Sequence, residues 1–266
     1  MIGRDRLTMI VTLFLLLGLF FGSFYNIVGL RIPKNESILH LQSYCPSCQR
    51  RLRPAELIPF FSYVIAGGKC KSCKCSISPV YPIMEGLTAV SFLLVYLQYG
   101  WTWETLFGLL FVSLLIIITV SDLAYQLIPN KVLLPFMLLF LVLRFFYPYG
   151  ETSYWEHLIG MASGFLFFLI LAVISRGGVG GGDIKLFAVI GLFLPPVLLV
   201  LTIFFSSAFG ALFGVVQLIR RRASRGSMIA FGPFIALGAV VSYLYGADLL
   251  SWYFSLDTYT WAYRGR

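Results

Sequence analysis

Two acids and five cysteines are the residues of this chain whose type and placement could do chemistry. The chain has only eleven Asp and Glu residues. Asp122 follows "LLIIITV" in "SDLAYQLIPN", and Asp183 precedes "IKLFAVIGLF" after the run "SRGGVGGG". Each therefore sits at the edge of an apolar run. A carboxylate near lipid is costly to charge, so such acids usually face a bundle interior or a wet cavity. Two that face each other cannot both ionise easily and share a proton. The charged member can then activate water while the protonated member polarises a peptide carbonyl.

The cysteines lie together between residues 31 and 80, as "CPSC" (Cys45, Cys48) and "CKSCKC" (Cys70, Cys73, Cys75). Two C-x2-C knuckles each bring two thiolates to one ion, and together they complete a tetrahedral sulfur shell of the structural-zinc kind. Iron–sulfur and unligated thiols are the alternatives, and disulfides would be reduced on a cytosolic side. The loop is short and poor in apolar residues, so a metal would supply folding energy it lacks. Cys75 is expected to be spare, since it is too close to Cys73 to form a second knuckle.

The elements that position these residues follow from composition. Hydrophobic residues make up 59% and charged residues 12% of the 266 positions, against about 25% charged in a soluble domain. The fold class is an all-α polytopic membrane protein. Apolar runs near 8–30, 81–99, 104–121, 132–149, 157–174, 184–196, 197–219 and 228–248 predict about eight transmembrane helices. The Leu-Pro-Pro at 194–196 divides the sixth from the seventh. The first run lacks a small-residue cleavage site and is expected to be a retained helix.

Alternate loops then carry fifteen of the twenty Lys and Arg residues, which makes that side cytosolic and both chain ends outward. The other five are Arg4, Arg6, Arg144, Arg264 and Arg266. The net charge of +9 is thus a topology signal, and no nucleic-acid partner is implied. Asp122 and Asp183 both fall at the cytosolic edge, 61 residues apart in sequence. The expected domains are a first helix (1–30), a cytosolic four-cysteine zinc-binding domain (31–80), a transmembrane domain that carries both acids (81–250) and an aromatic outer tail (251–266).

Plainer roles are open for each residue. Asp183 could cap a helix starting at Ile184, and Asp122 could pair with Lys131 or Lys185. Glu85 suits an ion pair with the basic loop. Glu104, between Trp101 and Trp103 on one side and an apolar run on the other, suits a solvated acid at the outer interface. His40 and His157 are isolated and receive no ligand role. "RRRASRG" (220–226) reads as a cytosolic stop signal, with a phosphate or lipid-headgroup patch as the alternative. The glycines of 177–182 could be a flexible loop, or could line a cleft that admits an extended peptide.

Taken in order, "FGSFYNIVGLRIP", "CPSCQRRLRPAELIPFFSY", "GGKCKSCKCSISPVYPIME", "SDLAYQLIPN", "GGVGGGDIKLFAVIG" and "FGPFIALG" resemble the type IV prepilin peptidase family, also called leader peptidase/N-methyltransferase. The resemblance covers nearly the whole chain. It implies a membrane aspartic endopeptidase of the cytoplasmic membrane that cuts prepilin or pseudopilin precursors after a glycine ending a basic leader. Asp122 and Asp183 match the two catalytic aspartates, and Gly180, Gly181, Gly182 and Asp183 match the G-x-G-D motif. Cys45, Cys48, Cys70 and Cys73 match the metal tetrad. Members with this loop usually also N-methylate the new terminus, commonly Phe, with S-adenosylmethionine. Cys75 is extra, residues 50–56 lack a tryptophan often found there, and no Rossmann-type fingerprint is present for the methyl donor. Rival readings are a presenilin-type protease, which lacks the cysteine loop, a zinc-regulated transporter, and a non-catalytic pilus assembly scaffold.

Overall fold

Helices occupy all eight apolar runs, and one short helix lies in the cysteine loop. The computed structural model describes residues 4–38, 44–45, 47–51, 56, 58–150, 152–220 and 230–254. Their helices are α1 (Arg4–Arg31), α2 (Phe61–Ile65), α3 (Val80–Tyr99), α4 (Trp103–Tyr125), α5 (Asn130–Phe146), α6 (Tyr154–Ile174), α7 (Gly181–Phe193), α8 (Pro196–Ile219) and α9 (Gly232–Phe254). The only β pairing among the described residues is two isolated bridges, Tyr44–Arg51 and Lys69–Ser76. His40, most of the 220–226 basic run and the outer tail beyond Phe254 lie outside the described residues.

Six helices (α1, α3, α4, α6, α8 and α9) are long and apolar enough to cross a membrane, and the protein is a multi-pass membrane protein. The other two of the eight fall short of that length. α5 has 17 residues and α7 has 13, about 26 and 20 Å at 1.5 Å per residue, against an apolar layer of about 30 Å. α7 is apolar on every side and buried from Leu186 to Leu194, as a helix enclosed by others must be. It packs between α5 and α6. Gly160 of α6 and Gly191 of α7 approach backbone to backbone, the small-residue contact that helices use where lipid supplies no hydrophobic drive.

Local chemistry sets the helix ends. Thr102 caps α4 through the Thr105 N–H, and Ser153 with Glu156 forms a capping box at α6. α7 stops at Phe193 and α8 starts at Pro196, so the break falls at the expected Leu-Pro-Pro. Two of the ends that differ from expectation flank the acids. α4 runs on to Tyr125, because Gln126 closes it in the left-handed region (φ 51°) with its N–H on the Asp122 carbonyl, 2.8 Å away. α7 begins at Gly181, three residues early, because the Gly180 carbonyl already accepts from the Asp183 and Ile184 N–H groups.

α1 and α3 run antiparallel, with Gly22 against Glu85 and the Asn26 amide donating to the Tyr81 carbonyl at 3.1 Å. The end of α1 meets the end of α4: Gly29 packs on Val120, and the Lys34 ammonium lies 5.4 Å from the Tyr125 ring centre. The start of α3 and the end of α4 are therefore at one end of the bundle.

The opposite end holds a buried polar cluster. Arg144, fully buried, makes a two-pronged pair with Glu104 at 2.7 and 2.8 Å and donates to the Phe193 carbonyl at 3.1 Å. The Tyr243 hydroxyl donates to Glu104 at 2.9 Å. Tyr99 and Tyr149 join hydroxyl to hydroxyl at 2.9 Å, and His157 accepts from the Tyr149 N–H at 3.2 Å. This corrects the reading of Glu104 as a solvated acid and of His157 as isolated. A neighbouring Trp signals depth, but whether an acid meets water depends on helices elsewhere in the chain.

Candidate active site and metal centre

Asp122 lies in the last turn of α4, and its side chain is buried at 6% exposure. One carboxylate oxygen, Oδ2, accepts the Gly232 N–H at 2.7 Å. Gly232 is the first residue of α9, and the opening N–H groups of a helix have no partner inside it. The carboxylate therefore sits at the positive end of α9, where a negative charge is stabilised.

Asp183 occupies the third position of α7 and reaches back to the backbone of Gly180, the residue that precedes the helix. It is not the N-cap, which is Gly180. It uses the return arm that a Glu or Gln supplies in a capping box. Asp183 is half-buried, and the Asp122 charge acts on it directly. One turn joins the sites. The 126–129 turn, held by a Ser121 hydroxyl bond to the Leu127 carbonyl at 2.6 Å, presses Ile128 against Gly182. A Cβ on Gly182 would lie 2.8 Å from that of Ile128, so only glycine permits this approach. Gly181 faces open space, and Gly177 takes φ 93°, which suits glycine alone.

Neither carboxylate has an ion-pair partner among the described residues. Lys131 bonds Asn35 at 2.7 Å and Lys185 bonds Asn130 at 3.0 Å, so the lysines offered as partners for Asp122 hold asparagines. Glu85 likewise meets no cation among the described residues. It accepts the Phe60 N–H at 2.7 Å and a bond from Ser23.

Cys45, Cys48, Cys70 and Cys73 converge, with all four Sγ atoms within 4.8 Å of one another. Metal–sulfur bonds of about 2.3 Å require tetrahedron edges of about 3.8 Å, and Cys45 to Cys73 is 3.7 Å. The donor set fits a tetrahedral thiophilic ion. The two knuckles repeat one backbone pattern. Cys45 N–H donates to the Arg50 carbonyl and Cys70 N–H to the Cys75 carbonyl, with Gln49 and Lys74 left-handed at φ 54° and 58°. The N–H groups of Cys48 and Ser47 aim at the Cys45 sulfur and hold its thiol down to about 6. Those of Cys73 and Ser72 lower Cys70 in the same way. The same backbone device thus favours the thiolate, the form that binds metal, at both leading sulfurs. Cys75 takes the Arg50 position of the second knuckle, its Sγ 3.0 Å from that of Cys73 and 3.5 Å from that of Cys45. It sits at the rim of the cluster.

Two family descriptions match the chain: the bacterial peptidase A24 N-terminal domain over residues 16–99, and the type IV leader peptidase family over residues 109–215. The "Prepilin leader peptidase/N-methyltransferase" of Bacillus subtilis (strain 168) is 42% identical over 92% of this chain and 98% of its own length. The chain belongs to the type IV leader peptidase family. A protein of the same name from Pseudomonas aeruginosa is 33% identical over 90% of this chain and 91% of its own. Another, from Neisseria gonorrhoeae, is 34% identical over 85% and 87%. No solved structure gives a significant match.

Within this leader peptidase chain, the backbone donor at Gly232 is the group beside the acids that residue typing overlooked. Its signal was in "FGPF": a Gly-Pro pair opening an apolar run marks a helix start, and a helix start presents free N–H groups. That it meets Asp122, 110 residues earlier, could not be read from spacing.

Proposed function

We propose that this chain is a bifunctional membrane enzyme of the cytoplasmic membrane. It removes the basic leader of type IV prepilin or pseudopilin precursors at a Gly-Phe type junction on the cytosolic face, and N-methylates the exposed terminus. The observation that carries the proposal is the placing of Asp122 and Asp183 at one end of the bundle, each beside a helix N-terminus and each without a cation among the described residues.

In this mechanism one aspartate, ionised, draws a proton from water, and the other, protonated, donates to the scissile carbonyl oxygen. The precursor's apolar helix lies in the bilayer, so its junction arrives at the carboxylates already oriented. Gly180, Gly181 and Gly182 form the wall of the substrate cleft, with the open edge at Gly181. Cys45, Cys48, Cys70 and Cys73 would hold zinc, which would supply the cross-link that fixes the fold of the cytosolic domain. S-adenosylmethionine, when bound, would supply the methyl group to the new terminal amine, which would lose a proton as S-adenosylhomocysteine leaves. A transmembrane peptidase domain over 81–250 and a four-cysteine domain over 31–80 are the working units, and all eight apolar helices, the shorter α5 and α7 included, contribute to the membrane body.

The test is incubation of the enzyme in liposomes with a precursor carrying a basic leader, Gly-Phe and an apolar helix. Mass spectrometry of the product should show an N-terminal Phe, one methyl heavier when S-adenosylmethionine is added. An unchanged precursor overturns the reading.

Two variants probe the parts. A Cβ on Gly232 would lie 2.7 Å from Asp122 Oδ2 and 3.0 Å from Asp122 Cβ. Gly232→Ala should therefore displace the carboxylate and slow cleavage roughly 10²-fold, the scale of a 1 Å misplacement, with folding retained. Cys45→Ser should lose most bound zinc by elemental analysis and lower methylation more than cleavage.

A further inference from the structure

The short helix α2 and the turn before it show their apolar side chains to the outside. Phe61 is 53% exposed, Val64 61% and Ile65 79%, with Ile58 and Phe60 also exposed. Exposed apolar clusters of this kind mark an interaction surface. Three observations indicate what covers this one.

The first is depth. Phe60 stands in a tight turn at φ 60°, ψ −55°, with the Phe61 N–H on the Pro59 carbonyl at 2.6 Å. A non-glycine residue in that conformation is strained and needs an anchor. Its N–H is held 2.7 Å from the Glu85 carboxylate. Glu85 is the sixth residue of α3, a helix of twenty residues, and α3 needs nearly all of that length to cross an apolar layer of about 30 Å. Its sixth residue is therefore about 7–8 Å inside the end of the span. Helical side chains lean toward the N-terminus, which brings the carboxylate, and the turn bound to it, to the headgroup–acyl boundary.

The second is continuity. α3 and α1 present exposed apolar residues at the same level, including Ile83 and Phe21. The third is charge. The chain leaving α2 carries the exposed lysines Lys69, Lys71 and Lys74, suited to anionic headgroups. Tyr63, on the other side of α2, bonds the Ile77 carbonyl at 3.4 Å and packs on Gly68, which ties α2 to the second cysteine knuckle.

We propose that the 58–65 segment is an interfacial membrane anchor. It inserts the apolar side of α2 into the leaflet at the carboxylate end and clamps the four-cysteine domain to the bilayer surface. The occupant of the apolar face is lipid.

The test places the photoreactive residue benzoylphenylalanine at Ile65 in the full chain. The protein is reconstituted in phosphatidylethanolamine/phosphatidylglycerol liposomes with a precursor substrate and irradiated. Retained metal content verifies folding, and Ile65, being exposed, tolerates the change. Phe20, 67% exposed on α1, serves as the lipid-facing control, and exposed Ser72 of the knuckle as the aqueous one. Mass spectrometry should find lipid adducts at Ile65 at the Phe20 level and severalfold above Ser72. Adducts at the Ser72 level, a crosslinked dimer or a crosslink to the precursor as the main product would each overturn the proposal.

Discussion

Asp122→Asn and Asp183→Asn should each reduce precursor cleavage by roughly 10²–10⁴-fold, the range of a lost general acid or base, while leaving the thermal unfolding transition in detergent near that of the parent. Asn keeps the shape of Asp and can still accept the Gly232 N–H through its carbonyl oxygen, so the 2.7 Å contact that seats residue 122 survives. What is lost is proton exchange. In the proposed mechanism the two acids work on one shared proton, so the double variant should be little worse than either single one, as for groups that act as a unit. Full processing by either single variant would remove the pair from the mechanism. A non-catalytic scaffold would support pilus assembly equally well with Asn at both positions.

The largest stability effect belongs to the other end of the molecule. Arg144→Ala should leave Glu104 buried and uncompensated and cost about 3–5 kcal/mol, the usual penalty for breaking a buried pair from one side. The Arg144 side chain is fully buried, with Glu104 as its ion partner at 2.7 Å, the Phe193 carbonyl at 3.1 Å and the centre of the Phe193 ring 4.2 Å from its guanidinium carbon. Removing both charges together, as Glu104→Leu with Arg144→Met, should recover much of the loss, since a packed apolar pair has no desolvation penalty. Thermal unfolding of the three variants in one detergent checks this. A single variant as stable as the parent would show that the pair contributes nothing. The cluster lies about 27 Å from Asp122 along α4, so cleavage by the folded fraction should be nearly unchanged.

Residue order alone was enough for the class of the protein, the eight apolar helices to within a few residues at most ends, the Leu-Pro-Pro break and the cysteine tetrad. These are local properties. A run of apolar residues must leave water wherever it is, and a C-x2-C pair brings its two sulfurs together within four residues. The six ordered motifs also pointed to the family, because each records a local constraint on the same backbone. Which polar groups meet was settled by the packing of the helices. The Gly232 N–H on Asp122, the pairing of Glu104 with Arg144, Glu85 holding a backbone turn rather than a lysine, and Lys131 and Lys185 bonded to asparagines all join residues from separate elements. Inside an apolar bundle a polar group must find a partner or cost several kcal/mol. Which partner it finds depends on how helices far apart in the chain are stacked, and no spacing along the chain encodes that choice.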